Sequence, residues 1–125
     1  MQKLILLFLI LTFVSCNNDN DLSQEEEAIL LDQKLTEIIE ITASKNCINS
    51  SNWSFTSYGS KACGGPKGYI AYSLDADTVH FLQLIEEHQI AEYEFNIKWG
   101  INSDCSVPNI PLDVICENGE PILIF

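Results

Sequence analysis

The sequence predicts an α+β fold of two layers, in which two helices lie on one face of an antiparallel four-stranded sheet built from two hairpins, in the order α-β-β-α-β-β. Three observations support it: two long segments with apolar residues at helical spacing, two short aromatic-rich segments around a glycine-rich stretch, and a C-terminal Asn-Gly pair between apolar runs. A length of 125 residues suits one domain.

The first helix is predicted from residue 23 to residue 44. Ser23 and Glu26 have the spacing of a capping box, and three acidic residues in the first turn suit the helix dipole. Apolar or small residues then recur every three or four positions: Ala28, Leu31, Leu35, Ile38 and Thr42. The polar stretch 45–52 ends the helix.

The first hairpin is predicted from residues 53–58 and 69–73, with the glycine-rich stretch 59–68 as its connection. In the first of these strands aromatic and small polar residues alternate. Asp75 or Asp77 then caps a second helix, which runs to about Lys98 and stops at Gly100. Because apolar residues cover much of its circumference, we expect this helix at the centre of the core.

The second hairpin is predicted at the C-terminus. Residues 112–116 and 121–125 are short apolar runs, and the four residues between them include Asn118-Gly119. This dipeptide is a strong signal for a tight two-residue turn. Residues 101–111, which contain two prolines, are predicted to be a loop that leads into this hairpin.

The charge balance excludes nucleic acid as a partner. The chain has 18 acidic and 6 basic residues, a formal net charge of −12, and every basic residue is a lysine. A protein that binds phosphate backbones needs the opposite surplus.

The N-terminus has the pattern of an export signal. Lys3 precedes an apolar run over residues 4–14. Eleven residues rise only about 16 Å as a helix, which is too short to span a bilayer core of about 30 Å. The pattern therefore predicts a cleaved signal peptide.

The end of this run and the two residues after it, Phe13-Val14-Ser15-Cys16, resemble a bacterial lipobox of the type found in Bacteroidota lipoproteins. The resemblance implies a signal peptide at 1–15 and a lipidated Cys16. Residues 17–21 are polar and cannot form a core, which predicts a flexible tether to residue 22, followed by a single domain at 23–125. The resemblance also implies a lipid anchor in the outer membrane, on the periplasmic side or on the surface. A plain secretory signal and a retained membrane anchor are the alternatives.

The four other cysteines predict two disulfides, because an even number in a small exported domain is typical of a disulfide framework. They are Cys47, Cys63, Cys105 and Cys116. Three pairings are possible, and we favour Cys47–Cys63 with Cys105–Cys116, since each closes a short loop. A zinc site completed by His80 or His88 is the alternative. It is disfavoured, since the chain has no Cys-x-x-Cys pair, and we expect no metal or other cofactor.

His88 and Glu92 are the candidate catalytic residues, because they lie one helical turn apart on the apolar face of the second helix. The more ordinary interpretation is a polar pair at the rim of the core. With no third ligand or nucleophile in view, we expect no catalytic site.

Two loops are the candidate binding segments. The stretch 59–68 lacks the spacing of a phosphate-binding loop, but its glycines permit an unusual backbone. Residues 101–111 form a proline-bearing loop tied by a cysteine, as inhibitors of secreted proteases often have. The candidate contact residues are Lys61, Gly64, Gly65, Pro66, Asp104, Val107, Pro108 and Ile110. Separately, Asp77-Thr78-Val79 resembles a Bacteroidota O-glycosylation motif, although the same residues also suit a helix cap.

Four motifs are similar to a pattern in small, uncharacterised disulfide-braced domains of Bacteroidota lipoproteins: Lys61-Ala62-Cys63-Gly64-Gly65-Pro66, Tyr69-Ile70-Ala71-Tyr72, Ser103-Asp104-Cys105 and Cys116. That resemblance implies one braced domain and brings no activity. The favoured hypothesis is a non-enzymatic envelope lipoprotein that binds a protein, such as a secreted or surface protease that it inhibits. The alternatives are a structural accessory subunit of a surface complex and a small hydrolase that uses His88 and Glu92.

Overall fold

A computed structural model describes residues 21–125. The predicted signal peptide, Cys16 and most of the predicted tether lie outside this range. The elements are α1 (Gln24–Ala43), a short 3-10 helix (Ser50–Asn52), β1 (Trp53–Tyr58), β2 (Gly68–Ser73), α2 (Thr78–Trp99), β3 (Asp113–Glu117) and β4 (Glu120–Ile124). The predicted order α-β-β-α-β-β, with two helices and two hairpins, is therefore confirmed. Neither α1 nor α2, the two long helices of this range, is apolar enough over sufficient length to cross a membrane.

Both helices begin and end as their sequences predict. Ser23 and Glu26 form the capping box of α1, with the Glu26 carboxylate accepting from the Ser23 backbone amide at 2.8 Å. These bonds, with the backbone amide contributing most, hold the pKa of Glu26 below its usual value. Asp77, rather than Asp75, caps α2 by accepting from the His80 backbone amide at 3.1 Å. Gly100 ends α2 in the left-handed conformation (φ 59°), which glycine adopts without strain.

The first hairpin lies between the helices and the second hairpin. Side chains of β1 and β2 alternate between two faces, so one face carries Tyr58, Ile70 and Tyr72, and the other carries Trp53, Phe55 and Ala71. The first face packs against α1 and α2 around Ile38, Phe81 and Ile85. The second packs against Val114, Leu123 and the Cys47–Cys116 disulfide.

The predicted single four-stranded sheet is wrong. The four strands form two separate two-stranded antiparallel sheets, β1 with β2 and β3 with β4. Because both faces of the first hairpin are covered with apolar side chains, the second hairpin buries its own apolar residues by stacking on a face rather than by pairing at an edge. The fold is accordingly a stack of helices, hairpin and hairpin.

The Asn118-Gly119 turn of the second hairpin has the predicted geometry, with φ values of 52° and 84°. The Gly119 carbonyl accepts a hydrogen bond of 2.8 Å from the Cys47 backbone amide. Glycine suits this position because of its positive φ; a Cβ there would lie 2.4 Å from Asn46 Oδ1, so the exposed Asn46 side chain would have to move. This turn fixes the segment after α1 beside the second hairpin.

Two disulfides are present, as predicted, but the favoured pairing is wrong. Cys47 pairs with Cys116, 69 residues later, and Cys63 pairs with Cys105, 42 residues later. The preference for short loops failed because tertiary packing places distant segments side by side. Stacking of the hairpins brings Cys47 to Cys116, and the connection of the first hairpin lies against the loop that follows α2. Cys47 is only 3 % exposed, whereas Cys63 and Cys105 are both exposed.

Candidate functional site

The Cys63–Cys105 disulfide joins the two candidate binding loops to one another. Sequence reasoning treated residues 59–68 and residues 101–111 as separate candidates. In the structure they form one surface, which we call the clamped loops. A weaker contact supports the junction, since the Cys63 backbone amide donates to Ser103 Oγ at 3.4 Å.

Lys61 is a second link between the clamped loops. Its ammonium group donates to Asp104 Oδ1 at 2.8 Å, to the Ser106 carbonyl at 2.8 Å and to Ser106 Oγ at 2.9 Å. These three bonds use all three donors of the group, and the Lys61 side chain is only 14 % exposed. The hydrogen bond from Lys61, followed by that from Ser106, holds the pKa of Asp104 below its usual range. Lys61 therefore binds the two loops to one another, a role that its position in the sequence did not indicate.

Side chains of α2 also hold the clamped loops in place, through the backbone of the first loop. Glu92 Oε2 accepts a hydrogen bond of 2.6 Å from the Ser60 backbone amide, and Asn96 Nδ2 donates to the Ser60 carbonyl at 2.9 Å. The other oxygen of Glu92 pairs with the Lys67 ammonium group. Gly59 lies above this carboxylate with φ 72°, and a Cβ there would lie 3.0 Å from Glu92 Oε2. A glycine at this position permits the close approach of loop and helix.

The tip of the first loop is a tight turn. The Lys61 amide donates to the Gly65 carbonyl at 3.0 Å, and the Gly64 amide donates to the Lys61 carbonyl at 2.9 Å. Gly64 and Gly65 have φ values of 90° and 82°, with open space where a Cβ would lie. These glycines are thus needed for backbone conformation, and Pro66 follows them half-buried.

His88 binds α1 to α2 and does not form an acid-base pair with Glu92. It is 2 % exposed, and its Nε2 lies 2.9 Å from the Leu31 carbonyl of α1. Since a carbonyl only accepts, Nε2 carries the proton, and Nδ1 is buried without a hydrogen-bond partner among residues 21–125. Glu92 binds the loop while His88 binds α1, so the two side chains support different elements. His80 is exposed.

Two concave features adjoin the clamped loops. A cavity of about 450 Å3 between α1, α2 and the loops is lined by His88, Glu92 and Asn96 together with apolar side chains such as Leu31 and Phe95. Residues 21–125 contain no cluster of three or more His, Cys, Asp or Glu side chains that could hold a metal ion. A second depression of about 290 Å3 lies between Tyr69, Pro108 and Phe125.

Aliphatic side chains project from the second of the clamped loops and just beyond it. Val107 is 82 % exposed, Ile110 is 66 % exposed and the neighbouring Leu112 is 77 % exposed. Pro108 between them is half-buried. This segment has no helix or strand, yet Cys105 and Ser106 tie its start to the first loop. The loop is thus held in place while its apolar side chains face solvent.

The remaining predicted sites lie elsewhere. Asp77 and Thr78 are the cap and first residue of α2, and Val79 is 77 % exposed. Cys16 lies outside the described residues. Comparison of the chain with protein-family models, with curated proteins and with solved structures found no match.

Proposed function

We propose that this protein is a non-enzymatic cell-envelope lipoprotein that binds another protein through the clamped loops, and that the partner is a secreted or surface protease which it inhibits. The observation that carries the proposal is the exposure of Val107 and Ile110 on a backbone held by a disulfide and by Lys61. Exposed apolar groups on a fixed backbone bind with little loss of conformational entropy, and a group of them on one loop marks a candidate interaction surface.

The burial and partners of the polar residues favour binding over catalysis. Glu92 and Asn96 are occupied by the Ser60 peptide, and His88 is occupied by the Leu31 carbonyl. Nε2 of His88 already donates to a fixed acceptor, and Nδ1 is shielded from solvent. A hydrolase would need a base that reaches substrate, so we place these side chains in the support of the loops and helices.

The proposed anchor rests on the N-terminal sequence. Lipidation at Cys16 would hold the protein on the outer membrane, because each buried CH2 group of an acyl chain contributes about 0.8 kcal/mol. The polar tether to residue 22 and a formal net charge of −12 favour a domain that stands away from anionic head groups. The clamped loops are then free to meet a soluble or membrane-bound partner.

Site-specific photo-crosslinking in the native cell tests the binding proposal. A photoreactive residue is placed at Val107 or Ile110 in the full-length chain, and at Val79 as a control that is similarly exposed at the start of α2. We expect crosslinks from the two loop positions to a protease, and loss of these crosslinks when Cys63 and Cys105 are both replaced by serine. Crosslinking to the same proteins from Val79, or none from the loops of a folded chain, would contradict the proposal.

The identity of the captured protein separates the inhibitor from its main alternative. A stoichiometric envelope protein without protease activity would indicate a structural accessory subunit of a surface complex. The anchor is tested separately by metabolic labelling with palmitate. Label is expected on the wild-type chain in outer-membrane fractions, and its persistence in a Cys16→Ser variant would overturn the assignment.

A further inference from the structure

One side of α2 carries a straight stripe of exposed apolar residues, which we call the α2 stripe. With 3.6 residues per turn, its members fall within an arc of about 80° and extend about 27 Å along the helix. None of them belongs to the two clusters of the core. Val79 and Ile97, at its two ends, are 77 % and 63 % exposed. A large exposed apolar surface of this kind marks an interaction site. The members are Val79, Leu82, Ile90, Tyr93 and Ile97.

Carboxylates accompany the α2 stripe. Glu86 lies at the middle of its arc, and Glu94 borders it. Both residues are exposed, and the ion pairs among residues 21–125 include neither of them. Lys98, the lysine of α2, is paired with Glu27 of α1. The stripe therefore combines apolar surface with negative charge that no ion pair within these residues neutralises.

The length and spacing of the α2 stripe fit a partner helix laid alongside it. Two helices pack by inserting the side chains of one between those of the other. An amphipathic helix is recognised through apolar residues three or four positions apart, whereas an extended peptide adds to a free strand edge. The α2 stripe has the helical spacing over about five turns, so we expect a helix as its occupant.

A second copy of this chain is a poor fit to the α2 stripe because of Glu86. Parallel pairing of α2 with itself would set Glu86 of one copy beside Glu86 of the other. Antiparallel pairing about residue 88 would leave the two carboxylates only about 6 Å apart along the helix axis. Both arrangements remove like charges from solvent without a cation, and they join two chains of formal net charge −12. The charge therefore favours a cationic occupant.

We infer that the α2 stripe docks a cationic amphipathic helix of a partner protein, whose apolar residues pack on Ile90 and Tyr93 and whose central basic residue pairs with Glu86. Charge complementarity of this kind steers the encounter and selects against anionic partners. The stripe is separate from the clamped loops, which α2 holds through Glu92 and Asn96 on another side of the helix. Docking here goes beyond the proposed function and is independent of whether the loops bind a protease.

Binding of a designed peptide tests this inference. The probe is a labelled helical peptide of about 18 residues, the length of the stripe, with leucine every three or four positions, arginine elsewhere and one arginine at the centre of the leucine face. The full-length oxidised chain is held in phosphatidylcholine nanodiscs, and empty nanodiscs give the background from lipid. Fluorescence anisotropy should show binding to the chain above that background, and none by a matched peptide with glutamate in place of every arginine.

A pair of charge variants locates the binding site. Glu86→Lys should weaken binding at least about tenfold, because it sets a cation against the central arginine of the peptide. Glu87→Lys changes the net charge equally, but it lies about 100° around the helix from Glu86. This control should weaken binding less than about threefold.

A pair of apolar variants tests the contribution of the stripe itself. Ile90→Ser should weaken binding about fivefold, because it removes apolar surface that the peptide covers. Ile48→Ser is the matched control at a residue that is 83 % exposed outside α2, and it should leave binding unchanged. Circular dichroism checks that each variant, altered at an exposed site, remains folded.

Three results would overturn the inference. The first is no binding of the arginine peptide above the background, or equal binding of the glutamate peptide. The second is equal weakening by Glu86→Lys and Glu87→Lys, which would show attraction to the overall charge rather than to the stripe. The third is a crosslink between two copies of the chain from a photoreactive residue at Ile90 in the cell, which would assign the stripe to self-association. The proposed function is decided separately, by crosslinking from Val107.

Discussion

The Glu92 carboxylate accepts a hydrogen bond of 2.6 Å from the backbone amide of Ser60, far along the chain from α2. One turn later, Asn96 donates to the carbonyl of the same residue at 2.9 Å. The backbone amide and the backbone carbonyl of Ser60 are thus both bound by side chains of one helix. Because α2 is packed through Phe81 and Ile85 into the core, it transmits the rigidity of the core to the clamped loops.

Glu92→Gln should destabilise the protein by about 1–3 kcal/mol, because hydrogen bonds to charged groups are stronger than neutral ones. The amide keeps an acceptor for Ser60 but removes the charge that pairs with Lys67. The free energy of unfolding in urea measures the loss. Hydrogen exchange should show faster exchange of the amides at residues 60–67.

The matched control for this change is Glu87→Gln on the exposed side of α2, where Glu87 accepts only from Gln83 in the same helix. We expect a change within about 0.5 kcal/mol there. Equal stability of the two variants would show that the Glu92 carboxylate does not support the loops.

His88→Ala should destabilise the protein by about 2–4 kcal/mol, because it leaves a cavity between α1 and α2 and removes the bond to the Leu31 carbonyl. His80→Ala, on the exposed side of the same helix, should change stability by less than about 0.5 kcal/mol. Chemical denaturation compares the two. If His88→Ala keeps wild-type stability and instead abolishes a hydrolytic activity, the small-hydrolase alternative is favoured over binding.

Local signals in the sequence predicted the elements well. The Ser23 capping box, the alternation from Trp53 to Tyr58 and the Asn118-Gly119 turn each depend on residues within a few positions of one another. The predicted first helix, 23–44, agrees with Gln24–Ala43. Each end of a predicted strand either coincides with the observed end or differs from it by one residue. Such features are fixed by backbone sterics and neighbouring hydrogen bonds.

Long-range relationships could not be predicted in the same way. The pairing of Cys47 with Cys116 follows from the stacking of the hairpins, which depends on how two apolar faces match. Both the observed and the favoured pairing satisfy the cysteine count equally. The role of Lys61 could not be predicted for the same reason. Its partners Asp104 and Ser106 come more than 40 residues later, and no local sequence pattern indicates that they contact it.

Acid should weaken the contact between the start of α1 and the end of α2. Glu27 of α1 accepts from the Lys98 ammonium group and from Trp99 Nε1, and these bonds hold the pKa of Glu27 below its usual value. Because the folded-state pKa is the lower one, the stabilisation is complete above the unfolded-state pKa, near 4.3. It is lost as the pH falls through the folded-state pKa.

Glu27→Gln should therefore lower stability at pH 7 and flatten the decline of stability as the pH falls below the unfolded-state pKa of a glutamate. Unfolding followed by Trp fluorescence at several pH values measures both effects. Glu25→Gln, exposed in the same first turn, is the control and should retain the wild-type slope. Some slope remains in either variant, since the pKa of Glu26 is also lowered by Ser23. Parallel pH profiles for Glu27→Gln and wild type would refute the link.

The two disulfides should differ in what their removal does, although the chain-entropy relation gives a similar contribution of about 4 kcal/mol for each. Cys47 and Cys116 pack with Trp53 and Val114, so replacing both with alanine should also disrupt the core and lower the unfolding midpoint most. Replacing the exposed Cys63 and Cys105 with serine should leave near-UV circular dichroism of the core unchanged while amides of the clamped loops exchange faster. Peptide mapping without reduction establishes the pairing directly. A crosslinked peptide containing Cys47 with Cys63, or unchanged loop exchange after the serine replacements, would contradict the joined-loop architecture on which binding depends.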